Sequence, residues 1–232
     1  MNSEDGLTRD KILTTSLALF LKNGYDRTPV QAIIDAVGIA KGTFYHHFRG
    51  KEEMLVALVQ GLSARVVDAI APVVADPKLD ASQKLLGVAR AAVAQKTADL
   101  GPESVVLIRQ LRSRENRLLA DCLDQIVSQW MLPFFVAIVR QGCLEGRFRV
   151  SDPELAAELV LRTLLAMKDR GFDLFLGLAD GDPAALTRLT GFYAALDQAV
   201  ERLLGAAEGS LPIYSSIDLR PLVARLFPGT LP

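Results

Sequence analysis

A short polar and basic tract is the part of this sequence whose residue types could do chemistry. It reads KGTFYHHF from position 41, and both histidines of the protein lie in it. At about 100° per residue, Phe44 and Phe48 share one helical face, while Gly42 and His46 lie on the opposite face. That outer face offers hydrogen-bond donors, a small residue and an aromatic ring without any carboxylate. The pattern therefore favours contact with a polyanion.

The same residues do not predict a reaction centre. His46 and His47 diverge by about 100° on a helix, and no third metal ligand lies near them. The sequence has no Gly-rich phosphate loop, no HExxH pattern and no Ser or Cys elbow. Cys122 and Cys143 lack metal-ligand neighbours, so we predict buried thiols. We predict no metal, no cofactor and no enzymatic activity.

Two short helices joined by a turn are needed to present this tract. Thr28 is the predicted N-cap of the first helix, with Pro29 at the first helical position and Gln31 completing a capping box. Gly38 supplies the positive φ that ends this helix. A second helix then restarts near Lys41. This order predicts a helix-turn-helix, whose second helix enters a DNA major groove.

The amino-acid sequence of this region also matches a known family signature at many positions. The residues concerned are Gly24-Tyr25, Thr28, Val30, Ile33, Val37-Gly38-Ile39, Lys41-Gly42-Thr43-Phe44-Tyr45, His47-Phe48 and Lys51-Glu52. Together they resemble the N-terminal signature of the TetR family of bacterial transcriptional regulators over about residues 7 to 58. The resemblance implies an all-α fold, in which a three-helix DNA-binding domain precedes a larger helical bundle that binds a ligand and dimerises.

The residues that would meet DNA follow from the two helices. Gly42 would let the backbone approach, Thr43 and His46 would touch base edges or phosphates, and Lys41 would supply charge. Tyr45 and His47 would bond phosphates, while two helix N-termini and a nearby amide would add further backbone contacts. The predicted DNA-binding residues are Thr28, Gln31, Lys41, Gly42, Thr43, Tyr45, His46, His47 and Lys51.

Composition and charge bound these expectations. Half of the 232 residues are hydrophobic and only 6% are aromatic, which suits an all-α bundle of about nine to ten helices. The formal net charge is −1, and residues 1–51 hold seven Lys and Arg against five Asp and Glu. DNA binding must therefore rest on a small local patch that dimerisation doubles. No apolar stretch reaches the roughly 20 residues that span a bilayer, and the polar N-terminus lacks a signal peptide. We expect a cytoplasmic protein without membrane contact.

The predicted domains are residues 1–50, which bind DNA, and residues 51–232, which are regulatory and include a tail at 208–232. Thr8 is the predicted cap of the first helix. Asp80 with Gln83 forms a capping box, and Asp152-Pro153 and Asp182-Pro183 open two long helices. An apolar helix is predicted between residues 103 and 113, and a kink at Pro133 of the following helix. Ser216 to Asp218 would cap a short helix in the tail.

The regulatory domain carries weaker candidates for ligand binding and dimerisation. Apolar residues beside Pro133 fit a plain core as well as a ligand cavity, and Arg109 needs Asp169, Glu145 or an acidic ligand if it is buried. The ligand candidates are Arg109, Gln110, Trp130, Met131, Phe134, Lys168, Asp169 and Tyr193. The resemblance implies a four-helix dimer interface, for which the candidates are Leu155, Leu159, Arg162, Leu186, Leu189, Leu196, Val200 and Leu203.

These expectations combine into a homodimeric, ligand-responsive repressor that binds an inverted repeat in double-stranded DNA. One alternative is a regulator without an effector, whose larger domain only dimerises. Two further alternatives are an enzyme on a helical bundle and a partner-binding protein with a vestigial helix-turn-helix. The effector, the operator, the regulated genes and the packing of the tail do not follow from the sequence.

Overall fold

The computed structural model describes residues 3–97, 109, 112–182 and 184–226. These described residues form nine α-helices and no strand, which confirms the all-α prediction. The helices are α1 (Ser3–Asn23), α2 (Val30–Val37), α3 (Lys41–His47), α4 (Lys51–Ala75), α5 (Ala81–Thr97), α6 (Arg117–Leu144), α7 (Pro153–Ala179), α8 (Ala185–Leu204) and α9 (Arg220–Leu226). A 3-10 turn at Arg114–Asn116 precedes α6.

The chain forms two compact units. Within the described residues, the first contains 3–64, 109 and 112–126, and the second contains 65–97, 127–182 and 184–226. The boundary between these compact units falls inside α4, and the first unit includes a segment from much later in the chain; the domain boundary at residue 50 stays a prediction. The sequence pattern did not reveal this because α4 has continuous helical periodicity across the boundary.

The first unit is built on the apolar faces of short helices. Phe20 and Phe44 are fully buried, and Ile33 of α2 is buried with them. The α2 helix ends at Gly38, whose φ of 76° lies in the left-handed region and whose N–H bonds to the carbonyl of Ile34. Glycine adopts this conformation without the Cβ clash that other residues meet. The predicted turn between the two helices is thus confirmed.

The second unit has a larger core that draws on α4 to α8. Ile138 and Val139 of α6 pack with Val160 of α7 and Val200 of α8. Gly142 of α6 lets Phe148 lie against the helix, because a Cβ there would come within 2.1 Å of the ring. A second cluster is formed by Leu174, Leu178, Ala185, Leu189 and Val223.

The C-terminal tail packs on its own chain. Leu211 and Ile213 belong to the larger core cluster, and Val223 of α9 belongs to the smaller one. Two buried carboxylates of α8 hold the tail backbone. Asp197 accepts hydrogen bonds from the N–H groups of Tyr214 and Ser215, both at 2.9 Å, and Glu201 accepts one from Leu211 N–H at 2.8 Å. Tyr214 also stacks on Tyr193, with ring centroids 5.7 Å apart.

The predicted helix starts were right in part. Asp80 and Gln83 form the capping box, with both bonds at 2.9 Å, and Asp152 caps α7. Thr8 is not a cap, because α1 begins at Ser3. The α8 helix begins at Ala185, later than expected, because Asp182 instead bonds the N–H of Ala184 in a local turn.

Other expectations for helices had different outcomes. The tail helix α9 exists, but Asp218 bonds Arg220 N–H in a local turn rather than capping a first turn from Ser216. Of the apolar helix predicted between residues 103 and 113, only Arg109, Arg112 and Ser113 are among the described residues, and Arg112 and Ser113 are not helical. The kink at Pro133 of α6 stays a prediction.

One helix of the described part is long and apolar enough to cross a membrane by length and composition, namely α6. The prediction that no apolar stretch reaches this length rested on a shorter segment of α6. Several residues of α6 are core residues in their own units, among them Leu119, Met131 and Ile138. A core helix passes the same test, so its apolar composition has a structural explanation.

Candidate nucleic-acid interface

The recognition helix α3 stands on two buried aromatic rings. Phe44 is fully buried and Phe48 is 2% exposed, with their ring centroids 6.0 Å apart. Burying each ring stabilises the unit by about 1.5–3 kcal/mol, so the inward face is fixed. Tyr45 is 47% exposed, and the His46 side chain is 72% exposed. The outward face is therefore the one that the sequence predicted.

Two further members of that face are also exposed. Lys41 lies over the Tyr45 ring, with its Nζ 6.0 Å from the ring centroid. At Gly42 an added Cβ would meet nothing within 4 Å, and the backbone has no positive φ there. The fold itself does not require a glycine at this position, so close approach by another molecule is a better explanation for it. Thr43 is half-buried, and its predicted contact stays a prediction.

The N-terminus of α3 lacks a side-chain cap. Ala40 occupies the N-cap position with an extended backbone and makes no side-chain hydrogen bond. In the first turn the N–H of Thr43 donates to the carbonyl of Ala40 at 3.0 Å instead of to a side-chain cap.

The two capping predictions at the start of α2 were wrong, whereas the DNA contact of Gln31 stays a prediction. Thr28 is fully buried, and its Oγ1 donates to the carbonyl of Gly24 at 2.8 Å. It cannot cap α2, which begins at Val30 with Pro29 at the N-cap position, and its side chain is not available to a phosphate. Gln31 does not complete a capping box either, since its Nε2 donates to Asp35 Oδ1 at 2.7 Å. Gln31 remains exposed.

His47 does not lie on the open face. Its side chain is only 5% exposed, and its Nε2 is 3.5 Å from Asp5 Oδ1. The angular position on α3 was read correctly, but the N-terminal turn of α1 covers this flank. The predicted phosphate bond from His47 is therefore wrong for the described conformation.

Lys51 is engaged inside the first unit. Its Nζ donates to the carbonyls of Tyr25 at 2.7 Å and Thr28 at 3.3 Å, and it lies 4.1 Å from the Tyr25 ring centroid. The ammonium therefore ties the start of α4 to the α1–α2 connection rather than presenting a free charge. A phosphate contact at the N-terminus of α4 stays a prediction.

Tyr25 makes several of the contacts of the α1–α2 connection. It is 2% exposed, and its N–H donates to Asn116 Oδ1 at 3.1 Å. Burial, followed by the nearby Glu52 carboxylate, raises the pKa of Tyr25 to about 12. Its hydroxyl has no hydrogen-bond partner among the residues that the structure describes. Asn116 thus links the segment before α6 to the helix-turn-helix unit.

Sequence reasoning missed three side chains beside the recognition helix. Arg9 of α1 lies over the Phe48 ring at 5.2 Å, and Asp5 approaches both histidines. Arg49 is exposed directly after α3, while its N–H is bonded to Glu53 Oε2 at 2.7 Å. Asp5, Arg9 and the buried Ile12 recur at helical spacing, so extending α1 back to Ser3 would have found the first two.

The predicted ligand residues do not all belong to one unit. Arg109 is exposed and lies in the first unit, so burial does not require an acidic partner for it. Glu145, one of its proposed partners, instead bonds Ala81 N–H and Gln141 Nε2. Gln110 lies outside the described residues.

The remaining ligand candidates lie in the second unit. Met131 is core and Phe134 packs against that core, while Trp130 is half-buried. Tyr193 packs in the smaller cluster, and burial raises its pKa. Lys168 is half-buried and Asp169 is exposed. Among the described residues, no group of three His, Cys, Asp or Glu side chains could hold a metal ion.

The predicted dimer residues divide into two sets. On α7, Leu155 is 53% exposed and Leu159 is 44% exposed, and Arg162 is exposed while paired with Glu158. On α8 three of the candidates are buried in their own chain, and the remaining two are half-buried. The buried residues are Leu189, Leu196 and Val200, and the half-buried ones are Leu186 and Leu203. The three buried residues were wrong as interface candidates.

An all-α unit that carries this exposed face on a short second helix defines the protein as a helix-turn-helix DNA-binding protein. The sequence model described as "Bacterial regulatory proteins, tetR family" matches residues 12–58. The HTH-type transcriptional repressor KstR2 of Mycobacterium tuberculosis is 32% identical over 158 residues, which are 66% of this chain and 74% of that protein. The chain therefore belongs to the TetR family and is a transcriptional regulator.

Other similar proteins agree with this assignment. The fatty acid metabolism regulator protein of Bacillus subtilis is 25% identical over 174 residues, which are 71% of this chain and 86% of that protein. A TetR-family transcription regulator from Shewanella sp. PV-4 superposes with a TM-score of 0.57 at 25% identity, covering 83% of this chain and 97% of that one. Members of the family are transcriptional regulators and are not generally enzymes.

Proposed function

We propose that this chain is a homodimeric repressor that binds an inverted-repeat operator and releases it when a small-molecule effector binds. The observation that carries the proposal is the outward face of α3, where Lys41, Gly42, Tyr45 and His46 are exposed above buried aromatic rings. Because that face contains donors and no carboxylate of its own, it suits DNA phosphates and base edges.

The two α3 helices of a dimer would enter successive major grooves about 34–36 Å apart. The first experiment is a mobility shift with footprinting on the DNA upstream of the protein's own gene, at a stated salt concentration. We expect a protected inverted repeat with half-sites about 10 base pairs apart, or a small multiple of that. Protection that follows charge alone, with no preferred sequence even when candidate effectors are added, would contradict the proposal.

Part of the second unit is exposed where a second copy could pack. Leu155 and Leu159 of α7 are exposed one helical turn apart, Met167 is exposed further along the same helix, and α7 packs against α8. On α8 the exposed residues Thr187 and Gly191 are small enough for a close approach by a second copy. We propose that this combined α7–α8 face is the dimer interface.

The proposed interface can be tested by placing charged side chains at its exposed apolar positions. Leu155→Glu with Leu159→Glu should yield a monomer with weakened operator binding, because apolar burial between the copies is lost. Leu118→Glu is the matched control, since Leu118 of α6 is 47% exposed outside this face. Sedimentation showing that both variants remain dimers would contradict the assignment.

The class of effector to test first is a fatty acid. Support comes from the similarity to the fatty acid metabolism regulator protein of B. subtilis and from the apolar residues of α6, including Met131 and Phe134. A 100-fold loss of operator affinity requires about 2.7 kcal/mol of coupling between effector and DNA. An effector with equal affinity for the free protein and the DNA complex cannot provide it.

The alternative is a regulator without an effector. Native mass spectrometry of the purified protein, followed by operator titrations with acyl ligands of increasing chain length, separates the two. A bound ligand that lowers operator affinity supports the proposal. Under either form the protein acts in the cytoplasm, where its DNA is, and catalyses no reaction.

A further inference from the structure

A carboxylate from α1 lies beside both histidines of the recognition helix. Asp5 Oδ1 is 3.5 Å from His47 Nε2 and 3.8 Å from His46 Nε2. Both separations exceed hydrogen-bond length in the free protein, but at these distances the negative charge of a carboxylate attracts the partial positive charge of an imidazole N–H. The two imidazole rings are in edge contact, with centroids 5.3 Å apart.

A carboxylate in the position of Asp5 should lower the affinity of α3 for DNA. A negative charge beside a DNA-facing helix repels phosphates, and the outward residues of α3 include no carboxylate of their own. The neighbouring cations do not neutralise Asp5 directly, because Arg9 lies over the Phe48 ring and Lys41 lies over the Tyr45 ring. The position of Asp5 therefore needs an explanation other than attraction to DNA.

The chemistry of imidazole supplies that explanation. A neutral imidazole has one N–H donor and one acceptor nitrogen, and the partner of one nitrogen decides which tautomer is present. An ionised carboxylate only accepts hydrogen bonds. Asp5 therefore favours the tautomer of His46 with hydrogen on Nε2, which leaves Nδ1 as an acceptor on a side chain that is 72% exposed.

We propose that Asp5 is a positioning residue that determines which base His46 reads. The inference rests on the proposed DNA binding by α3. In the major groove, an acceptor at Nδ1 pairs with the exocyclic amino group of adenine or cytosine, whereas guanine presents only acceptors, O6 and N7. The Asp5–His46 pair thus selects an amino-bearing base and disfavours guanine.

His47 has a different part in this arrangement. Its side chain is 5% exposed, so it cannot reach a base, and it lies closer to Asp5 than His46 does. It supports the carboxylate and the edge of the His46 ring from the inner side. Base discrimination therefore depends on His46, while Asp5 and His47 hold the ring.

The test compares base preference across the operator rather than total affinity. Every position of one half-site is changed to each other base pair, and relative affinities are measured for the wild type, Asp5→Ala and His46→Ala at one fixed pH and salt concentration. We expect His46→Ala to lose discrimination at one position. Asp5→Ala should lose about tenfold discrimination against guanine at that same position, the equivalent of one hydrogen bond. Asp5→Asn, which keeps the shape of the side chain and removes its charge, should lose discrimination in the same direction.

Asp10→Ala is the matched control, because Asp10 is an exposed carboxylate on the same helix. Both Asp→Ala variants remove one negative charge and should raise total affinity at low salt, but only Asp5→Ala should alter the pattern of base preference. An unchanged pattern in Asp5→Ala and Asp5→Asn, with His46→Ala altering one position, would overturn this inference and leave the proposed function intact. Absence of specific binding by the wild type would overturn the proposed function itself.

Discussion

The recognition helix α3 and the long helix α8 show opposite outcomes of the same kind of sequence argument. On α3 the residues expected to face outward, among them Gly42, Tyr45 and His46, are exposed. On α8 the residues expected to face a partner copy include Leu189 and Val200, which are fully buried in their own chain. Helical periodicity identified the apolar face in both cases.

The difference lies in what covers that face. The α3 helix has seven residues and one small core on which its apolar face packs, and Tyr45 and His46 on its other side stay exposed. The α8 helix contacts α7, the tail and the larger core. Because the hydrophobic effect is non-directional, an apolar stripe in the sequence predicts that this face is buried but does not predict which surface buries it.

The largest expected effect tests the α3 side of the comparison. Tyr45→Ala combined with His46→Ala should weaken operator binding at least about 100-fold, because two groups that would meet phosphate or base are removed. Helicity and dimerisation should be unchanged, since both side chains are exposed. The measurement is a binding titration with circular dichroism and sedimentation.

Arg90→Ala is the control for that pair, as Arg90 is an exposed cation on α5 in the other unit. It should bind operator as the wild type does. Tight operator binding by the Tyr45 and His46 double variant would show that the recognition face is misassigned.

The next effect tests α8 against α7 with one residue type. Leu189→Ala should lower the free energy of unfolding by about 2–5 kcal/mol, because it leaves a cavity in a fully buried site. Leu159→Ala should change the stability of the monomer by less than about 1 kcal/mol, since this side chain is 44% exposed. Denaturant titrations at protein concentrations below the dimer dissociation constant measure both changes in the free energy of unfolding. Equal losses would erase the distinction between core and interface.

A smaller effect concerns the carboxylate that holds the tail. Asp197→Ala removes the acceptor for the N–H groups of Tyr214 and Ser215 and for Ser215 Oγ, which bonds it at 2.6 Å. Leaving these partly buried donors unpaired should cost about 1 kcal/mol and expose the tail to proteolysis. Glu208→Ala, at an exposed carboxylate just after α8, should do neither. Identical proteolysis of the two variants would argue against the proposal that Asp197 holds the tail.

The smallest effect is a change in the response to alkaline pH. The Tyr25 pKa is raised to about 12 by burial first and by nearby carboxylates second, from an ordinary value of 10.0. The folded state therefore holds this proton more tightly, so its contribution is complete below pH 10 and is lost as the pH rises towards 12. Tyr25→Phe should shrink the loss of stability over that window.

Burial also raises the pKa values of Tyr193 and Tyr214, so Tyr25→Phe should reduce the alkaline loss without abolishing it. At neutral pH the variant should lie within about 1 kcal/mol of the wild type, because the Tyr25 hydroxyl has no partner among the described residues. Chemical denaturation at neutral and alkaline pH tests both points. An unchanged alkaline slope would show that Tyr25 does not contribute.

The sequence by itself determined the all-α class, the helix-turn-helix and most of its outward face. Each of these depends on local rules: Gly38 ends a helix through its own φ, and Phe44 and Phe48 set the orientation of α3 by spacing alone. The capping box of Asp80 and Gln83 is equally local, and it formed as expected.

Only the tertiary structure decided which side chains are shared with distant parts of the chain. Thr28 looked like a cap and is a buried donor, Lys51 looked like a free charge and binds carbonyls, and His47 is covered by α1. The hydrogen bonds that hold the tail join Asp197 to residues 17 and 18 positions later. These contacts depend on where separate elements meet, and that is set by burial of whole apolar faces rather than by the spacing of residues within one of them.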